Sequence, residues 1–170
     1  MTPILKAVAA SFRDTDMVLP LALGDLKEQD AKQRVRGGAG PSLTWQVGHL
    51  LDGRVKALKF LGVSRENPYL AQYSTAAASD GQDYPAMSDL LAQWRSVAAE
   101  LRSAMEAATE ELLLKEVKGG LHAENTILDK LVFQAWHEAY HVGAVGAIRK
   151  ELGYPGPAEL VMAQMAAAAR

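Results

Sequence analysis

The run Trp136-His137-Glu138-Ala139-Tyr140-His141, "WHEAYH", sets two imidazoles four residues apart with a carboxylate directly after the first. On a helix that spacing stacks both rings on one side, one turn apart, so both can reach one ion. The same spelling, H-E-x-x-H, is used by zinc peptidases, in which the glutamate is the general base and a third ligand follows further down the chain. The chain has four histidines in all, so a third imidazole has few candidates. His49 lies in "WQVGHLLDG", where Gly48 and Gly53 stand inside a helical pattern despite their propensity cost, a mark of close approach by another element. His122, in "GGLHAEN", reads as a solvated loop residue. Three imidazoles from two packed helices suit a borderline-soft ion such as zinc or nickel and leave positions open for water or substrate.

The peptidase reading requires context that the sequence does not supply. Such enzymes lay a peptide along a sheet edge, and no strand pattern precedes "HEAYH". Glu159 stands at a tolerable distance for a third ligand, but the helix stops at Gly153 and Pro155 and Pro157 follow. The longer pattern with a third histidine after a glycine fails because position 147 is Ala147.

Each neighbouring residue has a chemical reading and a structural one. Glu138 either orients an imidazole or moves a proton, or it pairs with a buried arginine. Asp52, near His49, either accepts a proton from a ligand imidazole or is an exposed helical aspartate. Trp45, Trp136 and Tyr140 either line a pocket over the ion or belong to the core. Arg54 and Arg149 either bind an anionic substrate or lie along the surface near helix ends.

The elements that must position these residues are helices almost throughout. Thr2-Pro3 is an N-cap and first-turn pair, followed at helical spacing by Ile4, Val8, Phe12, Met17, Leu21 and Leu23, with Pro20 expected to kink or end the helix. "RVRGGAGPS" is a loop by its glycines and proline. Ser42 or Thr44 then caps a second helix running to Gly62. Residues 64–86 read as a long connection, and long connections in compact domains are often functional. A third helix begins near Ser88, carries Leu90, Leu91, Trp94, Val97, Ala98, Leu101 and Met105 on one stripe, and breaks up around "KGGLHAEN". The fourth begins near Asn125 or Thr126 and stops at "RKELG", with Ile127, Leu131, Ala135, Val142, Val145 and Leu152 toward the core. An Ala/Met-rich tail from Pro157 forms a fifth. The expected architecture is all-α: one domain over residues 1–170, a four-helix bundle with a long crossover connection and a short C-terminal extra helix.

Composition narrows the partners. A chain of 170 residues, 49% hydrophobic, buries a full core in one domain. The formal net charge of −2 lacks the basic footprint of phosphate-backbone binding, which argues against nucleic acid. There is no cysteine, no charged-then-apolar leader and no apolar run long enough to span a bilayer, so the expected location is the cytoplasm. The second helix is apolar on two sides, Val47, Leu51 and Leu58 on one and Trp45, Gly53 and Phe60 on the other, which predicts a second partner and hence a homodimer.

"SLTWQVGHLLDGRVKALKFLG", followed much later by "LDKLVFQAWHEAYHVGAVGAIRKELG", resembles the DinB/YfiT-like family of metal-dependent bundle proteins, in family order over nearly the whole chain. The resemblance implies that His49, His137 and His141 are the ligands of a divalent ion. It also implies a leaning toward transferases and isomerases that use a low-molecular-weight thiol, which this cysteine-free chain takes from a cosubstrate. The expected function is therefore a thiol-dependent S-transferase acting on small electrophiles, with Glu138 and Tyr140 as candidate catalytic residues. A hydrolase using metal-activated water and a non-enzymatic, stress-related metal-binding protein are the alternatives.

Overall fold

A computed structural model of the protein describes residues 2–73, 84–119 and 125–169. Eight α-helices are described: α1 (Pro3–Leu23), α2 (Glu28–Lys32), α3 (Leu43–Phe60), α4 (Leu70–Tyr73), α5 (Met87–Ala107), α6 (Glu110–Leu113), α7 (Ile127–Glu151) and α8 (Pro157–Ala168). The described residues form no strand, only an isolated bridge between Glu116 and Thr126 at the entry to α7. The four long helices close a ring in which α1 packs on α7, α7 on α3, α3 on α5 and α5 on α1, the four-helix bundle expected from the sequence. α8 lies against α1 and α7. His122 and residues 74–83 of the long connection fall outside the described residues.

Local chemistry explains where the helices start and stop. The Thr2 side chain accepts from the Leu5 N–H at 3.3 Å, and Pro3 opens α1. Pro20 does not end the helix as expected: it occupies the last turn, and its carbonyl accepts from the Gly24 N–H at 3.0 Å to close α1. The buried stripe of α1 is Leu5, Val8, Ala9, Phe12, Thr15, Leu19, Ala22 and Leu23; Ile4 and Met17, placed inward by spacing alone, face outward, Ile4 beside Leu5 and Met17 between Thr15 and Leu19. The Ser42 side chain caps α3 by accepting from the Trp45 N–H at 3.1 Å. Thr126 and Asp129 form a reciprocal capping box at the start of α7, and Gly153, in the left-handed region at φ 85°, follows its end. All seven residues of the predicted α5 stripe are buried.

α3 is covered on nearly every side within the one chain. Residues 43–48, 50–54, 57 and 58 are all buried, Trp45 and Gly53 among them, and Phe60 packs against the core. The second apolar side of this helix therefore faces α2, α4 and α7 rather than a second copy, which removes the ground on which a dimer was expected. No helix of the described residues is long and apolar enough to cross a membrane.

Candidate metal centre

The two glycines of α3 mark close approach, as their cost in a helix predicted. A Cβ at Gly48 would stand 2.2 Å from the ring of Tyr73, and one at Gly53 2.3 Å from the side-chain amide of Gln134 on α7. The first contact seats α4 beside His49; the second lets α3 and α7 approach. His49 on α3 then meets His137 and His141 on α7. Nε2 of His137 lies 3.1 Å from Nε2 of His49 and 3.0 Å from Nε2 of His141. Among the described residues these three form the cluster able to hold an ion.

By length alone those separations suit hydrogen bonds and fall slightly short of ligand spacing, so the protons decide between the two. Ligand nitrogens about 2.0–2.1 Å from a tetrahedral ion stand about 3.4 Å from one another. A neutral imidazole has a single N–H. Burial lowers the pKa of all three rings, and for His141, crowded also by His137 and His49, it falls to about 3, so the rings are neutral near pH 7. Nδ1–H of His141 donates to the Gln46 side-chain carbonyl, which leaves its Nε2 with a lone pair. Nε2 of His137 has one hydrogen at most for two neighbours, so it cannot make a well-directed hydrogen bond to both, whereas a shared cation would engage all three nitrogens at once. The residues present thus fit a divalent ion held by Nε2 of His49, His137 and His141.

The rings are held by different means. Trp45 stacks on His49 with centroids 4.8 Å apart and planes 7° from parallel, and Phe133 stacks on His137 at 5.8 Å. Among the described residues Nδ1 of His49 and Nδ1 of His137 have no partner of normal hydrogen-bond geometry, and the Tyr73 backbone offsets part of the burial effect on His49. Gln46 is the supporting residue that sequence reasoning missed. The available signal was a polar side chain three residues before His49 on an otherwise apolar stretch of α3.

A cavity of about 580 Å³ opens over the three rings. Trp136 and Tyr140 line it and are 62% and 63% exposed, so they form a wall and not a core, while Trp45 is buried beneath. Tyr140 meets His141 edge-on at 5.0 Å between centroids.

The remaining predicted residues are placed away from the ion. Glu138 is fully buried and accepts from Arg54 Nε at 2.8 Å and Nη2 at 2.9 Å. Arg54 is also fully buried; it donates to Asp16 and to the Phe12 carbonyl and lies 3.7 Å over the Trp94 ring. Arg149 is buried as well, donating to the Ala22 and Pro155 carbonyls and to both oxygens of Asp25. Neither arginine lies along the surface or is free for a substrate, because each satisfies chain groups from distant segments. Asp52 is buried, not exposed, and pairs with Lys56 at 2.6 Å. Glu159 pairs with Lys150 at 2.8 Å and takes the Gly156 N–H, so the third ligand position of a peptidase is not filled by it.

Comparison with known proteins gives a concordant result. The profile of the DinB superfamily matches residues 11–145. A crystal structure of a conserved protein from Enterococcus faecalis superposes with a TM-score of 0.72 at 12% identity, covering 89% of this chain and 98% of that one. YfiT from Bacillus subtilis, described as "a probable metal-dependent hydrolase with an unusual four-helix bundle topology", superposes with a TM-score of 0.68 at 15% identity, covering 91% of each chain. No curated protein matches the chain by sequence.

Proposed function

The chain belongs to the DinB superfamily, and we propose that it is a metal-dependent transferase that joins a low-molecular-weight thiol to a small electrophile. The observation that carries this reading is the convergence of three neutral imidazoles at the floor of a 580 Å³ cavity, with no carboxylate free beside them among the described residues. A zinc or nickel ion would be held by His49, His137 and His141, and with neutral ligands it would supply undiminished positive charge, favouring the thiolate form of a thiol beside it.

Proton handling separates the candidate reactions. Attack by water calls for a group to take its proton, and the two carboxylates nearest in sequence to the ligands are engaged, Glu138 by Arg54 and Asp52 by Lys56. A thiol, far more acidic than water, loses its proton to solvent before reaction and needs no base. The sulfur electron pair then forms the new S–C bond, and the leaving group departs with the pair of the bond that breaks. In this scheme Glu138 holds the ligand helix and takes no proton, and Tyr140 and Trp136 shape the wall against which the electrophile lies.

The hydrolase reading is favoured by the likeness to YfiT, and it shares every ligand, so histidine substitutions do not separate the two. Cosubstrate dependence does. The metal-loaded protein is incubated with 1-chloro-2,4-dinitrobenzene, with and without a panel of small thiols, and the products are read by mass spectrometry. Turnover confined to the thiol-containing samples, with an S-conjugate as product, supports the transferase. Thiol-independent formation of the water-substituted product rejects it for the hydrolase.

A further inference from the structure

The loop between α2 and α3 presents an arginine that nothing described so far uses. Arg36 is the one non-glycine residue among those described with a left-handed backbone, at φ 54°, and Gly37 and Gly38 follow at 61° and 91°. That conformation is disfavoured by a Cβ, and such residues concentrate at ligand-binding positions. The loop is firmly built. The Gly40 N–H donates to the Val35 carbonyl at 2.9 Å, Arg34 Nε to the Gly40 carbonyl at 2.8 Å, and the Arg36 N–H to Glu151 Oε1 at 2.9 Å. Gly40 admits no side chain, since a Cβ there would meet Val35 Cγ2 at 2.7 Å.

Arg36 lines the cavity that holds the three imidazoles, and its side chain is exposed. Its guanidinium makes no hydrogen bond or ion pair with any described residue, in contrast to buried Arg54 and Arg149. The only other charged lining residue, Glu151, is bound to the Arg36 backbone. Between the imidazoles and Arg36 the α7 side of the cavity is Ala144, Ala147 and Ile148, small and apolar. From His141 to Glu151 the helix rises about 15 Å. Arg36, exposed and unpartnered among the described residues, thus stands at one end of a largely apolar stretch of the cavity and the imidazoles at the other.

We propose that Arg36 is a specificity-determining residue that receives the carboxylate of an elongated ligand whose other end reaches the three histidines. The planar guanidinium fork matches a carboxylate in two parallel hydrogen bonds. The ligand is a small molecule about 10–15 Å long, apolar in its middle, by the helix rise that separates the two ends. The inference rests on the reading of His49, His137 and His141 as a metal site. It leaves open which reactant bears the carboxylate, the thiol or the electrophile.

The test is calorimetric binding to the metal-loaded protein of three probes: 8-mercaptooctanoate, 8-mercaptooctanol and octanoate. A charge-assisted pair to a partly exposed arginine makes the mercapto acid bind about tenfold tighter than the mercapto alcohol. In Arg36→Gly, which keeps the left-handed backbone while removing the guanidinium, the two bind within about twofold of each other. Equal affinity of acid and alcohol in the wild-type protein overturns the proposal, as does an undiminished preference in Arg36→Gly. Octanoate locates the carboxylate. If it binds as tightly as the mercapto acid and still depends on Arg36, the anion subsite stands while the thiol reading of the metal site fails; if it binds much more weakly, the carboxylate belongs on the thiol.

Discussion

Replacing Glu138 by alanine separates a base at the metal site from a strut beneath it. Glu138 occupies both forks of Arg54, at 2.8 and 2.9 Å, and neither side chain touches solvent. Its removal leaves a buried guanidinium with Asp16 and one backbone carbonyl as remaining acceptors. Breaking a buried pair from one side costs about 3–5 kcal/mol. Because Asp16 still accepts from Nη1, the loss lies at the lower end, about 3 kcal/mol. In a chain of this length that lowers the melting temperature by roughly 6–12 °C. Urea unfolding and a thermal melt followed by circular dichroism measure it, and elemental analysis in parallel shows an unchanged metal content. A Glu138→Ala protein that melts like the wild type but has lost turnover refutes the structural role and returns the residue to the chemistry.

Further outcomes follow from the same geometry. His49→Ala, His137→Ala and His141→Ala each abolish stoichiometric metal binding in elemental analysis, while His122→Ala does not. Gln46→Leu frees the His141 ring to adopt either tautomer and weakens metal affinity about 10–100-fold, read by competition with a chromogenic chelator, with little change in helicity. Gly48→Ala forces a methyl against the Tyr73 ring and costs about 1–3 kcal/mol in urea unfolding, since the ring has no side-chain freedom to yield. The metal-free protein loses stability on acidification. Burial holds His141 near 3 when folded against about 6.5 when unfolded, so from pH 7 downward the unfolded chain takes a proton that the folded one refuses. At pH 5 this one group removes about 2 kcal/mol relative to neutral pH, and His49 and His137 add to it in the same direction. A flat stability profile between pH 7 and 5 contradicts the burial of the rings.

What was legible in the sequence is what local chemistry decides. α3 and α7 begin and end within a residue or two of their expected places because Ser42, Thr126 with Asp129, and Gly153 act within one turn of themselves, whereas α5 starts where expected but stops at Ala107, well before the "KGGLHAEN" break. The three-histidine cluster was legible because histidine is scarce in this chain and because Gly48 and Gly53 advertise tight contact. The buried arginines were not. Arg54 depends on Asp16, 38 residues before it, and on Glu138, 84 residues after it, and no local pattern encodes a partner so remote. α7 shows the difficulty most clearly: Gln134, Glu138, His141 and Arg149 share its buried stripe with Ile127, Leu131, Ala135, Val145 and Ile148. A hydrophobic pattern registers four of these nine positions as solvent-facing. The α1 stripe failed for a smaller reason, since Ile4 and Leu5 are adjacent apolar residues and spacing alone does not choose between them.

The H-E-x-x-H spelling shows how neighbours assign chemistry to a motif. Successive helical residues turn by about 100°, so Glu138 points well away from His137, toward whatever packs on the adjoining face. In a peptidase that face opens on the substrate. Here it meets α1 and α3, which bring Asp16, Phe12 and Arg54. α3 therefore meets α7 at two levels, His49 against the paired histidines and Arg54 against Glu138. A slip of one turn, about 5.4 Å, between the two helices would break both contacts together. The ion pair and the three clustered histidines report the same register, and the glutamate that spells a protease is spent on the ion pair at that register.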